Sequence, residues 1–175
     1  MVFDDTKAAI PEEWFLHCEQ TELNRGSKKN VLMNAPEPRG NAVQQNCFVD
    51  VDHVGNKVTH HSHTGIIIFL NFSPTAWISK CQNIVEMSTF GSEFVALHIA
   101  MELLKSLSYK LGMFCIPLVG QANVFCNNEA VVKNTTMPES TLKKKHNLIA
   151  YHHIQEAVTV GVLWIMMCLT DIVPV

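Results

Sequence analysis

Two aspartates set two apart on a short apolar run, Cys47-Phe-Val-Asp-Val-Asp-His-Val-Gly55, constrain this chain more than any other stretch. Phe48, Val49 and Val51 carry the aromatic and β-branched side chains that suit a buried strand. Asp50 and Asp52 oppose burial. Residues two apart on a strand project to the same side, so both carboxylates share one face. Like charges held side by side repel, and taking them out of water costs more unless a cation neutralises the pair. Two uses are open. Asp52 can lie past the strand end in solvent with Asp50 capping a turn before Gly55, or the strand carries a metal ligand completed by acidic residues elsewhere.

The rest of the chain bounds the choice. Its 175 residues suffice for one domain with a sizeable core, and 47% apolar against 17% charged residues fits a globular chain rather than a disordered one. A net charge of −3 excludes nucleic-acid binding driven by the whole surface and leaves room only for a local basic patch. The six cysteines (18, 47, 81, 115, 126 and 168) are dispersed without a CxxC pair, which fits a reducing compartment better than a zinc ribbon or a disulfide framework. No apolar leader is visible in MVFDDTKAAIPEEW, and the run Val160 to Leu169 is about half of a bilayer span. A soluble, intracellular protein, cytoplasmic or nuclear, with no membrane partner, is the expectation.

Residues 1–46 mix Pro11, Pro36 and Pro38 with Gly26 and Gly40 and lack a sustained period, so they read as a loosely ordered arm before a domain over 47–175. Within that domain, 47–55, 65–70 and 76–79 read as strands joined by short turns, an antiparallel meander. Ser88 or Thr89 caps a long helix whose Phe90, Phe94, Leu97, Met101, Leu104 and Leu111 recur at helical spacing and form a core stripe. Glu93 lies on its first turns, where a carboxylate ordinarily complements the helix dipole. Ala122 to Cys126 is a further strand, 130–133 a short helix, 140–160 a second long helix ended by Gly161, and 162–167 a last strand. The order β-β-β-α-β-α-α-β describes a mixed sheet with helices packed on it.

On these residues the chain resembles the ribonuclease H domain that ends copia-type retrotransposon polyproteins. The family's Y-x-D-A-D-x-A-G strand is matched by Phe48 to Gly55, and its turn into an apolar strand by His60-His-Ser-His-Thr-Gly65 and Ile66 to Leu70. Trp77-Ile-Ser-Lys-Cys-Gln82 matches W-x-S-K-x-Q, and Ser88 to Ala96 matches the S-S/T-x-x-x-E-[YF]-x-A helix. Cys126-Asn-Asn-Glu-Ala-Val131 matches C-D-N-x-x-[AV]; Lys143-Lys-Lys-His146 and Tyr151 to Glu156 match a basic K-H element and its continuation. The resemblance covers about 47–171 with the motifs in order.

It implies an α/β, ribonuclease H-like fold: a five-stranded mixed sheet flanked by helices. It also implies an endonuclease that cleaves the RNA strand of RNA–DNA hybrids, within a polyprotein holding a reverse transcriptase upstream. In the family four carboxylates hold two Mg²⁺ ions beside the phosphodiester. Carried over, the ligands fall on Asp50, on Glu93, on Asn127 where the family has Asp, and on Asp171 in Leu169-Thr-Asp-Ile172. An amide is neutral and cannot bridge two ions as a carboxylate does, so catalysis is expected to be impaired or lost. The alternative to an enzyme is a non-catalytic relic or a weak nucleic-acid-binding module.

Three other features have plain readings. Lys143, Lys144 and Lys145 with His146 and Lys133 make the one basic patch. Charge runs are usually a solvated helix face; under the resemblance they contact the hybrid's phosphates in a salt-sensitive way. The nine histidines, with His60, His61 and His63 clustered and His146, His152 and His153 on one helix, show no Cys/His pair at structural-zinc spacing. Met87, Met101, Met113, Met166 and Met167 read as core filler.

Overall fold

The computed structural model describes residues 37–55, 58–137 and 148–168. Strand β1 (Gln45–Asp52) opens two residues before its expected start. It is followed by β2 (His63–Leu70), β3 (Ser73–Cys81), helix α1 (Thr89–Met113), β4 (Ala122–Cys126), α2 (Glu129–Thr136), α3 (Leu148–Thr159) and β5 (Leu163–Met167). One five-stranded sheet has the order β3-β2-β1-β4-β5. The first three strands pair antiparallel, whereas β1 pairs parallel to β4 and β4 parallel to β5. This is the mixed sheet the element order predicts, with β1 central because both an antiparallel hairpin and a parallel crossover use its edges.

Alternation along β1 divides its side chains between two cores. Cys47 and Val49 enter the main cluster, with Ile66, Ile68, Val124 and Cys126 from the sheet and Phe94, Leu97, Met101 and Leu104 from α1. Phe48 points to the other face and packs with Phe69, Phe125 and Cys168. Phe94, Leu97, Met101, Leu104 and Leu111 of the expected stripe are buried, and Phe90 packs against the cluster's edge. The methionine reading needs correction. Met101 is fully buried, but Met87 is 96% and Met113 67% exposed, because neither falls on the stripe that faces the sheet.

Turn chemistry sets the element ends. Ser88 caps α1, its Oγ accepting from Gly91 N, and Asn128 caps α2, its Oδ1 accepting from Val131 N. Gly161 adopts φ 76° after α3, the left-handed geometry that stops a helix. The close of the expected arm is tied down: Val43 forms a parallel bridge with Leu118, and Arg39 N donates to Cys115 O at 2.7 Å. Residues 1–36, the basic run Lys143 to His146 and Asp171 lie outside the described residues. No helix among those described is long and apolar enough to cross a membrane.

Candidate active site

Strand register brings Asp50 and Asn127 together. In the parallel pairing of β1 with β4, Asn46 lies opposite Asn123 and Phe48 opposite Phe125, and the next step along the same face places Asp50 beside Asn127. Each rung makes a contact of its own. Asn123 Nδ2 donates to Asn46 Oδ1 at 2.9 Å, the Phe48 and Phe125 rings stack at 4.7 Å, and Asn127 Nδ2 donates to Asp50 Oδ1 at 2.9 Å. The amide at 127 is therefore seated by two rungs below it.

Glu93 arrives from the other side of the sheet edge, on the second turn of α1. It is 6% exposed, and no acidic residue occupies the first turn. The expectation that it complements the helix dipole is thus corrected, because the dipole's field is felt by the first turn and Glu93 has moved past it into the protein. Burial, with the Asp50 charge acting in the same direction, pushes its carboxyl up to about 7. Burial also lifts the Cys126 thiol to about 12, with Glu93 and Asp50 adding to the effect. Asp50, Glu93 and Asn127 therefore share one electrostatic neighbourhood at the end of β1 and β4.

A polar network that the sequence reading assigned no role holds α1 in place there. Gln82 Nε2 donates to Thr64 Oγ1 at 2.9 Å and to Ser92 O at 2.8 Å, tying β2 and the end of β3 to the residue before Glu93. Ser92 Oγ in turn donates to Thr89 O at 2.9 Å and lies 3.1 Å from His53 Nδ1. Val54 N donates to Ser62 Oγ while Val54 itself sits at φ 57°, a conformation that costs a β-branched residue and persists because the loop is pinned. The W-x-S-K-x-Q motif contained Gln82, so the signal was present without its meaning. Asn128 is committed to capping α2, and Glu129 is exposed and ion-paired with Lys133. Neither supplies a carboxylate beside Asp50.

The donor set fits a hard divalent cation. Glu93 Oε2 and Asn127 Oδ1 are both buried without a hydrogen-bond partner, and Asp50 adds a carboxylate beside them. Such ions take oxygen donors from carboxylates and amide carbonyls. A cation there would also reverse the repulsion that now holds Glu93 towards its neutral form.

No protein-family model matches the chain. It is 28% identical over 159 residues, 85% of its length, to the retrovirus-related Pol polyprotein from transposon RE1 of Arabidopsis thaliana, and it spans 11% of that polyprotein. Among solved structures, LC11-RNase H1 in complex with an RNA/DNA hybrid aligns with TM-score 0.56 at 18% identity, covering 73% of this chain and 87% of that one. The prototype foamy virus protease–reverse transcriptase aligns with TM-score 0.51 at 13% identity, covering 82% of this chain and 19% of that one. The five-stranded mixed sheet with its helices is a ribonuclease H-like fold. Its sequence is similar to retrovirus-related Pol polyproteins of transposons, of which it spans about a tenth.

Proposed function

We propose that this chain is a copia-type ribonuclease H domain whose hydrolytic centre is impaired by Asn127. The ancestral activity is Mg²⁺-dependent cleavage of the RNA strand of RNA–DNA hybrids. The observation that carries the reading is the Asn127 Nδ2 to Asp50 Oδ1 hydrogen bond, which engages a strand-borne carboxylate with an amide donor. Asp50 and Glu93, with the carbonyl of Asn127, would hold one ion, and Asp171 would add the fourth ligand. A bound pair of such ions lowers the pKa of an attacking water and stabilises the leaving oxygen. With Asn127 in place, one negative charge of the four is missing, and its Nδ2 donor competes with an ion for the Asp50 carboxylate.

Hybrid binding in this reading falls to Lys143, Lys144, Lys145 and His146, weakly and with strong salt dependence. Lys133 contributes little because Glu129 neutralises it. The hybrid held by LC11-RNase H1 supports that substrate class. The Pol polyprotein relatives support a polyprotein context, in which this reading places a reverse transcriptase upstream.

The test is cleavage of an end-labelled hybrid in Mg²⁺ and in Mn²⁺. The unmodified chain should match the enzyme-free blank, and Asn127→Asp should exceed it by at least ~10²-fold, the scale of one positioned catalytic group. Cleavage by the unmodified chain that Asp50→Asn abolishes would overturn the proposed impairment.

A further inference from the structure

Away from the sheet end, α1 and α3 bring together two imidazoles and a carboxylate. Ligating atoms of His98, Glu102 and His153 all lie within 4.8 Å of one another. His98 and Glu102 are four apart on α1, so one helix face presents both. His153 reaches them from α3, and its ring lies nearly parallel to that of His98, with centroids 6.2 Å apart and planes at 20°. Glu102 and His153 are exposed, which leaves both side chains free to turn.

We infer that His98, Glu102 and His153 form a binding site for a borderline divalent cation of the zinc class, clamping α1 to α3. Two imidazole nitrogens and one carboxylate are the three-ligand set that takes Zn²⁺ with a water in the fourth position, and nitrogen donors disfavour Mg²⁺. Zn²⁺ with ligand bonds near 2.0–2.2 Å needs ligating atoms about 3.4 Å apart. The cluster's separations, all within 4.8 Å, exceed that spacing by at most about 1.4 Å, and two of its three members are exposed and able to close the gap. The site differs in donor chemistry from the all-oxygen set at Asp50, Glu93 and Asn127, so it stands whether or not the proposed ribonuclease reading does. No short-spaced Cys/His pair marks it in the sequence, because His98 and His153 belong to different helices.

The test is titration of the metal-stripped full chain with Zn²⁺ by calorimetry and with Co²⁺ by visible absorption, both in excess Mg²⁺ to occupy the oxygen donors. One Zn²⁺ per chain is expected, with a Co²⁺ spectrum of four-coordinate intensity. His153→Ala and His98→Ala should each weaken binding at least tenfold, and Glu102→Gln measurably, while His152→Ala should bind as the parent does. His153 is exposed, so its variant folds even if the half-buried His98 variant does not. Zn²⁺ should also raise the melting temperature of the parent and not of His153→Ala. The inference is overturned if the parent takes up no Zn²⁺, if His153→Ala binds within threefold of it, or if His152→Ala loses as much.

Discussion

Replacing Glu93 by Gln tests the electrostatics of the sheet end without reference to activity. The carboxyl is lifted from 4.5 to about 7, which at 1.36 kcal/mol per pH unit amounts to about 3 kcal/mol. Asp50 is exposed and its share is screened by water, so about 2 kcal/mol is the working figure. The sign follows from proton affinity. The folded chain holds this proton more tightly than the unfolded chain, so the contribution is complete below pH 4.5 and is lost as pH rises through about 7. Gln is neutral at every pH and mimics the protonated acid. Glu93→Gln should therefore match the parent near pH 4.5 and exceed it by about 2 kcal/mol at pH 8, a shift of about 1 M in the urea midpoint. His98, lowered by burial, tilts stability the other way, towards loss on acidification, but does so in both chains and drops out of the difference. Mg²⁺ at pH 8 should raise the parent alone and narrow the gap, because a cation favours ionised Glu93. A gap that stays constant from pH 5 to pH 8 would refute the reasoning, since it would mean that Glu93 titrates alike in both states.

Two further substitutions probe the frame that holds the site. Met101 is fully buried in the main core, so Met101→Ala should cost about 2–5 kcal/mol in urea unfolding, with the denaturant slope unchanged. Gln82→Ala strips Ser92 O and Thr64 Oγ1 of their buried partner and should cost about 1–3 kcal/mol; an unchanged midpoint would show that the network does not anchor α1.

How far the sequence reaches depends on whether a feature is local. The strands and the long helix were legible because Phe48, Val49, Phe94, Leu97 and Met101 repeat at the period of their own element, and each element buries the face the period selects. The meeting of Asp50 with Asn127 was legible only through the family resemblance. No local pattern states that 46 pairs with 123, and without that register the ladder that seats Asn127 cannot be drawn. The local pattern misleads at Glu93 for the reverse reason, since a carboxylate near a helix start has an ordinary use and burial shows that this one does not serve it, whereas the resemblance had marked it as a ligand. Gln82 stood in a recognised motif whose hydrogen-bond partners no local pattern names, and the His98–Glu102–His153 cluster was invisible because it joins two helices that the chain order keeps apart.

The amide at position 127 does more than subtract a charge. With three carboxylates converging, the empty site would carry adjacent like charges that only a cation relieves, and the fold would lean on its metal. Asn127 supplies a donor to Asp50 instead, and because the bond is exposed to water it contributes about 0.5–1.5 kcal/mol, the range of an ordinary hydrogen bond. The same bond competes with an ion for the Asp50 carboxylate, so what the fold gains without metal is subtracted from metal affinity. In the proposed reading this chain has exchanged a strained, cation-dependent site for one that satisfies part of itself, the trade between stability and activity that active sites commonly resist. Asn127→Asp should then be less stable than the parent in chelator by about that margin and should recover the difference in saturating Mg²⁺. If the substitution left stability without metal unchanged, the amide would be a bystander at the sheet end and not the group that decides what the site can do.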